Sequence, residues 1–249
     1  MARPVFSIAI LISLLFLSPP SVWCDTAGGQ IDYTDLSIEE LMDIEVTSVS
    51  RRPEKLSVAP AAVYVITQED IRRSGATSIP ELLRMVPGVQ VASIDASKWA
   101  VTARGFNGRF ANKLLVLVDG RSVYTPLYSG VFWDAQDVLL ADVDRIEVIR
   151  GPGATMWGEN AVNGVINVIT KSARDTQGGL VMTGGGKEEI GFGGFRYGGS
   201  IHDRIYWRGF AKYSAWDKRT FGSGEEAADD WPPSATAFIW HRKTALWPL

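Results

Sequence analysis

The chain has 249 residues, a formal charge of -3 and no basic cluster, so it lacks the electrostatic footprint of a nucleic-acid binder. A single cysteine, Cys24, excludes a disulfide framework and a thiolate metal site. With only His202 and His241 as imidazoles and no G-x-S-x-G elbow, the nucleophile, base and orienter of a hydrolytic enzyme cannot be assembled. No cofactor is expected. The run Gly184-Gly185-Gly186-Lys187 fails the Walker spacing.

At the N-terminus, Arg3 precedes an apolar run from Val5 to Leu17, then Pro19-Pro20 and small residues up to Cys24. That run is too short to span a bilayer and has the layout of a secretory signal peptide, residues 1–24, cut after Cys24. Residues 25–55 read as a polar leader. Within it Ser37-Ile38-Glu39-Glu40 forms a capping box before a short helical turn. The strip Ile44-Glu45-Val46-Thr47-Ser48-Val49-Ser50 follows, β-prone and ended by Arg51-Arg52-Pro53. It is expected to be a mobile, extended segment with free backbone groups.

Residues 56–175 read as a compact α/β domain. Ala62 to Ile66 is a strand, and Thr67 caps a short helix with Asp70 at its third position and Gly75 past its end. Ser78 is expected to cap a second helix whose stripe Ile79, Leu82, Leu83 and Val86 runs to Pro87-Gly88. Strands are expected from Val89, over Val101 to Arg104, and over Leu114 to Val118, closed by Asp119-Gly120. Leu114 to Val118 does not alternate, which points to cover on both faces. Two further strands, ending at Ile149 and beginning at Val165, flank the bend Arg150-Gly151-Pro152-Gly153.

Residues 176–220 carry glycines and aromatics on a two-residue period. Strands are expected at about Gly179 to Gly186, Gly191 to Ile201 and Ile205 to Trp216. In the last, Ile205, Trp207, Ala211 and Tyr213 share one face, and Arg208, Lys212 and Ser214 share the other with Tyr206 and Phe210. Polar-in and apolar-out alternation fits a transmembrane barrel strand and, on periodicity alone, a soluble antiparallel sheet equally well. Residues 221–249 lose the alternation and read as an irregular tail.

Several segments together resemble the TonB-dependent outer-membrane receptors: PAAVYVITQEDIRRSGATSIPELLRMVPGVQV, ARGF, NKLLVLVDGRSVY and IEVIRGPGATMWGENAVNGVINVIT. The resemblance implies an α/β plug domain with a small mixed sheet and short helices, followed by the first antiparallel strands of an incomplete transmembrane β-barrel. The family's plug fills a barrel of about 22 strands, which needs on the order of 200 residues in strands alone. About 70 follow the plug here.

It also implies uptake of a scarce, bulky nutrient, a ferric siderophore or a corrinoid, at the cell outer membrane, with TonB as the periplasmic partner. The strip Ile44 to Ser50 would couple to TonB by strand addition. Arg104 and Arg150 would face carboxylates on the barrel wall. Asn107, Arg109, Asn112, Tyr124, Tyr128, Phe132 and Trp133 would form a ligand floor at the plug apices. The rival reading is a stand-alone periplasmic plug-like module that binds a ligand or signals.

Overall fold

The computed structural model describes residues 45–49, 52–57, 59, 61–95, 98–105, 107–111, 113–125, 127–151, 154–158, 160–186, 189–202, 205–217 and 234–243. The expected signal peptide and Ser37 capping box, and Ile44, Ser50 and Asn112, lie outside them.

The chain first makes a small hairpin, with β1 (Glu45–Val46) antiparallel to β2 (Glu54–Lys55). Pro53 therefore does not end the pairing. It sits one residue before the returning strand, where its missing N–H costs no ladder bond. Next come β3 (Ala62–Thr67), α1 (Gln68–Ser74), α2 (Ile79–Leu83), β4 (Val89–Ser93) and β5 (Trp99–Ala103). They are followed by β6 (Leu114–Val118), β7 (Arg121–Ser122), β8 (Val143–Arg150), α3 (Ala154–Trp157) and β9 (Gly164–Thr170). The sequence reading placed only a bend where α3 forms.

Five of these strands make one mixed sheet in the order β3-β8-β9-β6-β7, in which only β6 and β9 run parallel. Odd and even positions divide its two faces. Ile66, Leu114, Val116, Ile146, Val148, Ile166 and Val168 join the main core with α1, α2, Trp99 and Val101. Leu115, Leu117, Ile149 and Val165 form a smaller core on the opposite face with Ala161. Double cover is why Leu114 to Val118 is apolar throughout rather than alternating. Asp119 and Gly120 both adopt positive φ, 49° and 76°, the geometry of a two-residue hairpin turn matched to strand twist.

Thr67 and Asp70 complete the expected capping box, and Gly75 ends α1 in the left-handed region. Ser78 departs from expectation, since its hydroxyl is buried without a partner. The Glu81 carboxylate caps instead, accepting from Thr77 N at 2.9 Å. In α1, the hydrogen bond from Arg72 to Glu69 holds that carboxyl below its usual range against the opposing effect of burial, with Arg73 adding to the pull. Its cover is those two half-exposed arginine chains, so solvent screens the pair. A depressed folded pKa means stabilisation that is full above the unfolded value and lost as pH falls through the folded one. Between neutral pH and about pH 3, wild type is therefore expected to lose more melting temperature than Glu69→Gln. Equal losses by circular dichroism would remove Glu69 from the acid response.

After the plug, β10 (Gly178–Gly184), β11 (Glu189–Ile201), β12 (Ile205–Trp216) and β13 (Ser234–Lys243) form a separate antiparallel sheet in sequence order. The tail expected to be irregular thus contains a strand paired with β12 from Ser214↔Ser234 to Ile205↔Lys243. Backbone hydrogen bonding supplies that ladder whether or not the side chains alternate. One face of this sheet presents Arg196, Arg208 and Lys212 to the plug, where they meet Asp142 and Asp137. The other exposes Val181, Phe195, Tyr197, Ile201, Ile205 and Tyr213. Gly194 permits the close approach, because a Cβ there would lie 2.9 Å from Leu139 Cδ1. Among the described residues no helix is long and apolar enough to cross a membrane.

Candidate functional site

Three clusters draw together the residues singled out by sequence, and each mixes expected members with others that only the fold reveals.

The first surrounds the N-terminal strip. Its described part, Glu45 to Val49, is docked rather than free. Val46 and Ser48 are fully buried, and Val49 packs on the smaller core beside Trp157. Glu147, wholly buried on β8, accepts from Thr47 N at 3.0 Å, Thr47 Oγ1 at 3.3 Å and Ser48 N at 2.8 Å. Arg145 Nε donates to the same carboxylate at 2.8 Å. Trp157 Nε1 donates to Ser48 O at 2.7 Å, and Asn167 Nδ2 donates to Ser48 Oγ at 3.0 Å. The expectation of a mobile strip with free backbone groups is corrected by these contacts. Sequence reasoning missed Glu147, although an acidic residue inside the apolar strand I-E-V-I was the available signal: a buried carboxylate needs donors. Beside the strip lies an open cavity of about 1020 Å³ bordered by Thr47, Leu117, Arg145, Trp157, Asn167 and Lys171.

The second cluster holds the two arginines. Arg104 directly follows β5 with φ of 59°, is exposed, and reaches Arg150 O through Nη2 at 3.4 Å. Arg150 is half-buried and donates from Nη1 to Pro87 O at 3.0 Å, while its Nε is buried without a hydrogen-bond partner. Both thus meet backbone carbonyls of the plug, and no ion pair to a carboxylate forms for either among the described residues.

The third cluster lies in the loops. Phe110 stacks on Tyr128 at 5.5 Å and meets Phe132 edge-on at 5.1 Å, and Tyr128 meets Phe132 at 5.2 Å. The Arg109 guanidinium lies over Phe110 at 5.1 Å. Phe110 was absent from the expected set and completes a triangle of rings with Tyr128 and Phe132. Asn107 is exposed and Tyr124 half-buried, and neither is part of this ring cluster. Trp133 is corrected outright: it is buried in the main core and offers no ligand surface. Large aromatics contribute most where they are fully covered, and a short 3-10 turn at Trp133–Ala135 aims it inward.

Plug and sheet meet at a charge cluster that the sequence did not reveal. Asp142, 3% exposed, lies 2.5 Å from Arg196 Nη1 and 3.5 Å from Arg208 Nε. Arg208 also donates to Lys171 O at 3.1 Å, and Lys212 pairs with Asp137 at 2.7 Å. Burial pushes the Lys171 ammonium below its usual range, with Asp142 and Asp144 pulling the other way.

Residues 55–165 match the family model described as TonB-dependent Receptor Plug Domain. The chain is 34% identical over 154 residues to the vitamin B12 transporter BtuB of Vibrio cholerae, covering 62% of this chain and 25% of the relative. It is 31% identical over 160 residues to BtuB of Vibrio vulnificus, covering 64% and 25%. The chain thus spans about a quarter of the length of these curated relatives. Among solved structures, the pyoverdine outer membrane receptor FpvA of Pseudomonas aeruginosa PAO1 superposes with a TM-score of 0.56 at 20% identity, covering 71% of this chain and 25% of that one. The ferric yersiniabactin uptake receptor FyuA of Yersinia pestis superposes at 0.54 and 21%, covering 74% and 28%. These relatives are named as transporters and receptors, not as enzymes. Residues 55–165 thus match the plug-domain family in sequence, and the mixed sheet, the short helices and the sheet that follows them share the fold of these solved structures.

Proposed function

We propose that this chain is the plug-bearing part of an outer-membrane receptor that takes up a ferric siderophore or a corrinoid and is coupled to TonB through Ile44 to Ser50. One observation carries the reading: the sheet after the plug has two chemically opposite faces. Arg196, Arg208 and Lys212 engage plug carboxylates, while six large apolar or aromatic side chains on the reverse are exposed. An apolar outer band with a polar interior is what a lipid-embedded barrel wall requires. A stand-alone periplasmic module would leave that band in water. The outer membrane is the matching seat.

The strip is β-branched and short, suited to adding as a strand to a partner's sheet edge. Val46→Pro removes one backbone donor and is expected to weaken binding of the isolated TonB periplasmic domain by about tenfold. Unchanged affinity in a calorimetric titration would reject the coupling role. For the ligand, Phe110, Tyr128 and Phe132 with Arg109 make a flat aromatic and cationic surface fitted to a large, partly apolar cargo. Arg104 and Arg150 are proposed to complete their bonding with carboxylates of the barrel wall, since the buried Arg150 Nε lacks an acceptor. Transport is not expected from this chain expressed alone, because among the described residues the four strands leave open edges at β10 and β13.

A further inference from the structure

We propose that the seam between α1 and the sheet β10-β11-β12 is a binding site for a small monoanionic amphiphile, a medium-chain alkyl carboxylate. A cavity of about 410 Å³ lies there, within the range of about 300–1,000 Å³ that small-molecule sites occupy. Ile71, Leu139, Leu140, Met182 and Phe192 give it an apolar lining. Two glycines keep that room clear. A Cβ on Gly184 would overlap the Phe192 ring, and one on Gly194 would lie 2.8 Å from Met182 Cγ. In the cross-strand pairs Gly184↔Phe192 and Met182↔Gly194, each large side chain therefore lies over its glycine instead of standing toward α1. Phe110, Tyr128 and Phe132 do not border this cavity, so it is separate from the proposed cargo surface.

The charged border selects the ligand. Among the described residues lining the cavity, the charged ones are Arg72 and Lys212, both cationic. Lys212, with a side chain 12% exposed, is bonded to Asp137 Oδ1 at 2.7 Å and to Thr77 O at 3.2 Å, which holds it inside the seam. Arg72 has a side chain 62% exposed, so a head group bound to it stays within reach of water. Its Nε and Nη2 donate to Glu69 at 2.9 and 2.7 Å, and a guanidinium with five N–H donors serves a second carboxylate as well. An alkyl chain against the apolar lining, with its carboxylate at Arg72, puts each end of the ligand in matching surroundings. An alkyl cation would be set against Arg72 and Lys212. The lining comes from α1, from residues 139–141 and from β10 to β12, so an occupant stabilises plug and sheet together.

The test titrates octanoate, octanol and octylammonium into the full chain reconstituted in nanodiscs of zwitterionic lipid. It reads the isotope-labelled methyl resonance of Met182, assigned with Met182→Leu. Met182 shares the plug-facing side with Gly194, whereas its neighbour Val181 is exposed on the reverse, so probe that merely enters lipid leaves this methyl unmoved. Octanoate is expected to give a saturable shift, octanol to bind about tenfold more weakly, and octylammonium to give no shift. Arg72→Gln is expected to weaken octanoate about tenfold, to the level of octanol, and to leave octanol unchanged, while Arg72→Lys keeps part of the preference. Ala141→Leu, which narrows the cavity, is expected to abolish the shift with every probe; Arg72→Gln alters an exposed side chain and decides the matter if that variant does not fold. Absence of a saturable shift, or equal affinity for octanoate and octanol, overturns the site. Unchanged octanoate affinity in Arg72→Gln overturns the placement of the carboxylate.

Discussion

Asp142→Ala is expected to be among the most damaging single substitutions in the plug, lowering the unfolding free energy by about 3–5 kcal/mol. The carboxylate is nearly inaccessible and faces two guanidinium groups, Arg196 with a side chain 13% exposed and Arg208 with one 4% exposed. Removing it leaves two buried cations without their counter-charge, and Lys171 loses one of the charges that support its protonated form. The penalty comes from the stranded charges more than from the lost attraction. A triple replacement that also converts Arg196 and Arg208 to methionine is accordingly expected to recover much of the loss. Chemical denaturation checks both; a loss under about 1 kcal/mol for Asp142→Ala would mean that solvent reaches the cluster.

Trp133→Ala is expected to cost about 3–5 kcal/mol through the cavity it leaves, whereas Tyr128→Ala should change stability by about 1 kcal/mol or less. The two residues lie five positions apart in one loop, yet Trp133 is 7% exposed and Tyr128 is 52% exposed. Their phenotypes should therefore diverge: Tyr128→Ala is expected to fold and to lose part of the proposed ligand floor, and Trp133→Ala to fail in melting before any binding is measured. A Trp133→Ala variant that melts like wild type would return this side chain to the ligand floor.

Charge placement divides the labour of the fold. On one side of the plug, Asp142 and Asp137 tie it to the inner face of the following sheet. On the other face of the mixed sheet, Glu147 holds the N-terminal strip. The first attachment buries both partners of a salt bridge and so resists separation. The second joins a buried carboxylate to neutral backbone donors, with Arg145 bonded to the same carboxylate.

Sequence by itself determined the elements whose signals are local. The capping box Thr67-Asp70, the turn pair Asp119-Gly120, the apolar runs of β6, β8 and β9, and the alternation in β12 each state their own geometry through propensity, φ preference or period. The family resemblance was legible for the same reason, since it rests on those contiguous segments. What the tertiary structure decided are relations between distant positions. Thr47 and Glu147 stand 100 residues apart, and nothing in either neighbourhood encodes the other. Trp133 and Tyr128 differ only in which way their loop turns them. Strand β13 looked irregular because its side chains do not alternate, but its backbone found a partner in β12. Burial and pairing are properties of the folded whole, whereas turns, caps and periods belong to the chain, and the candidate site is built mostly from the former.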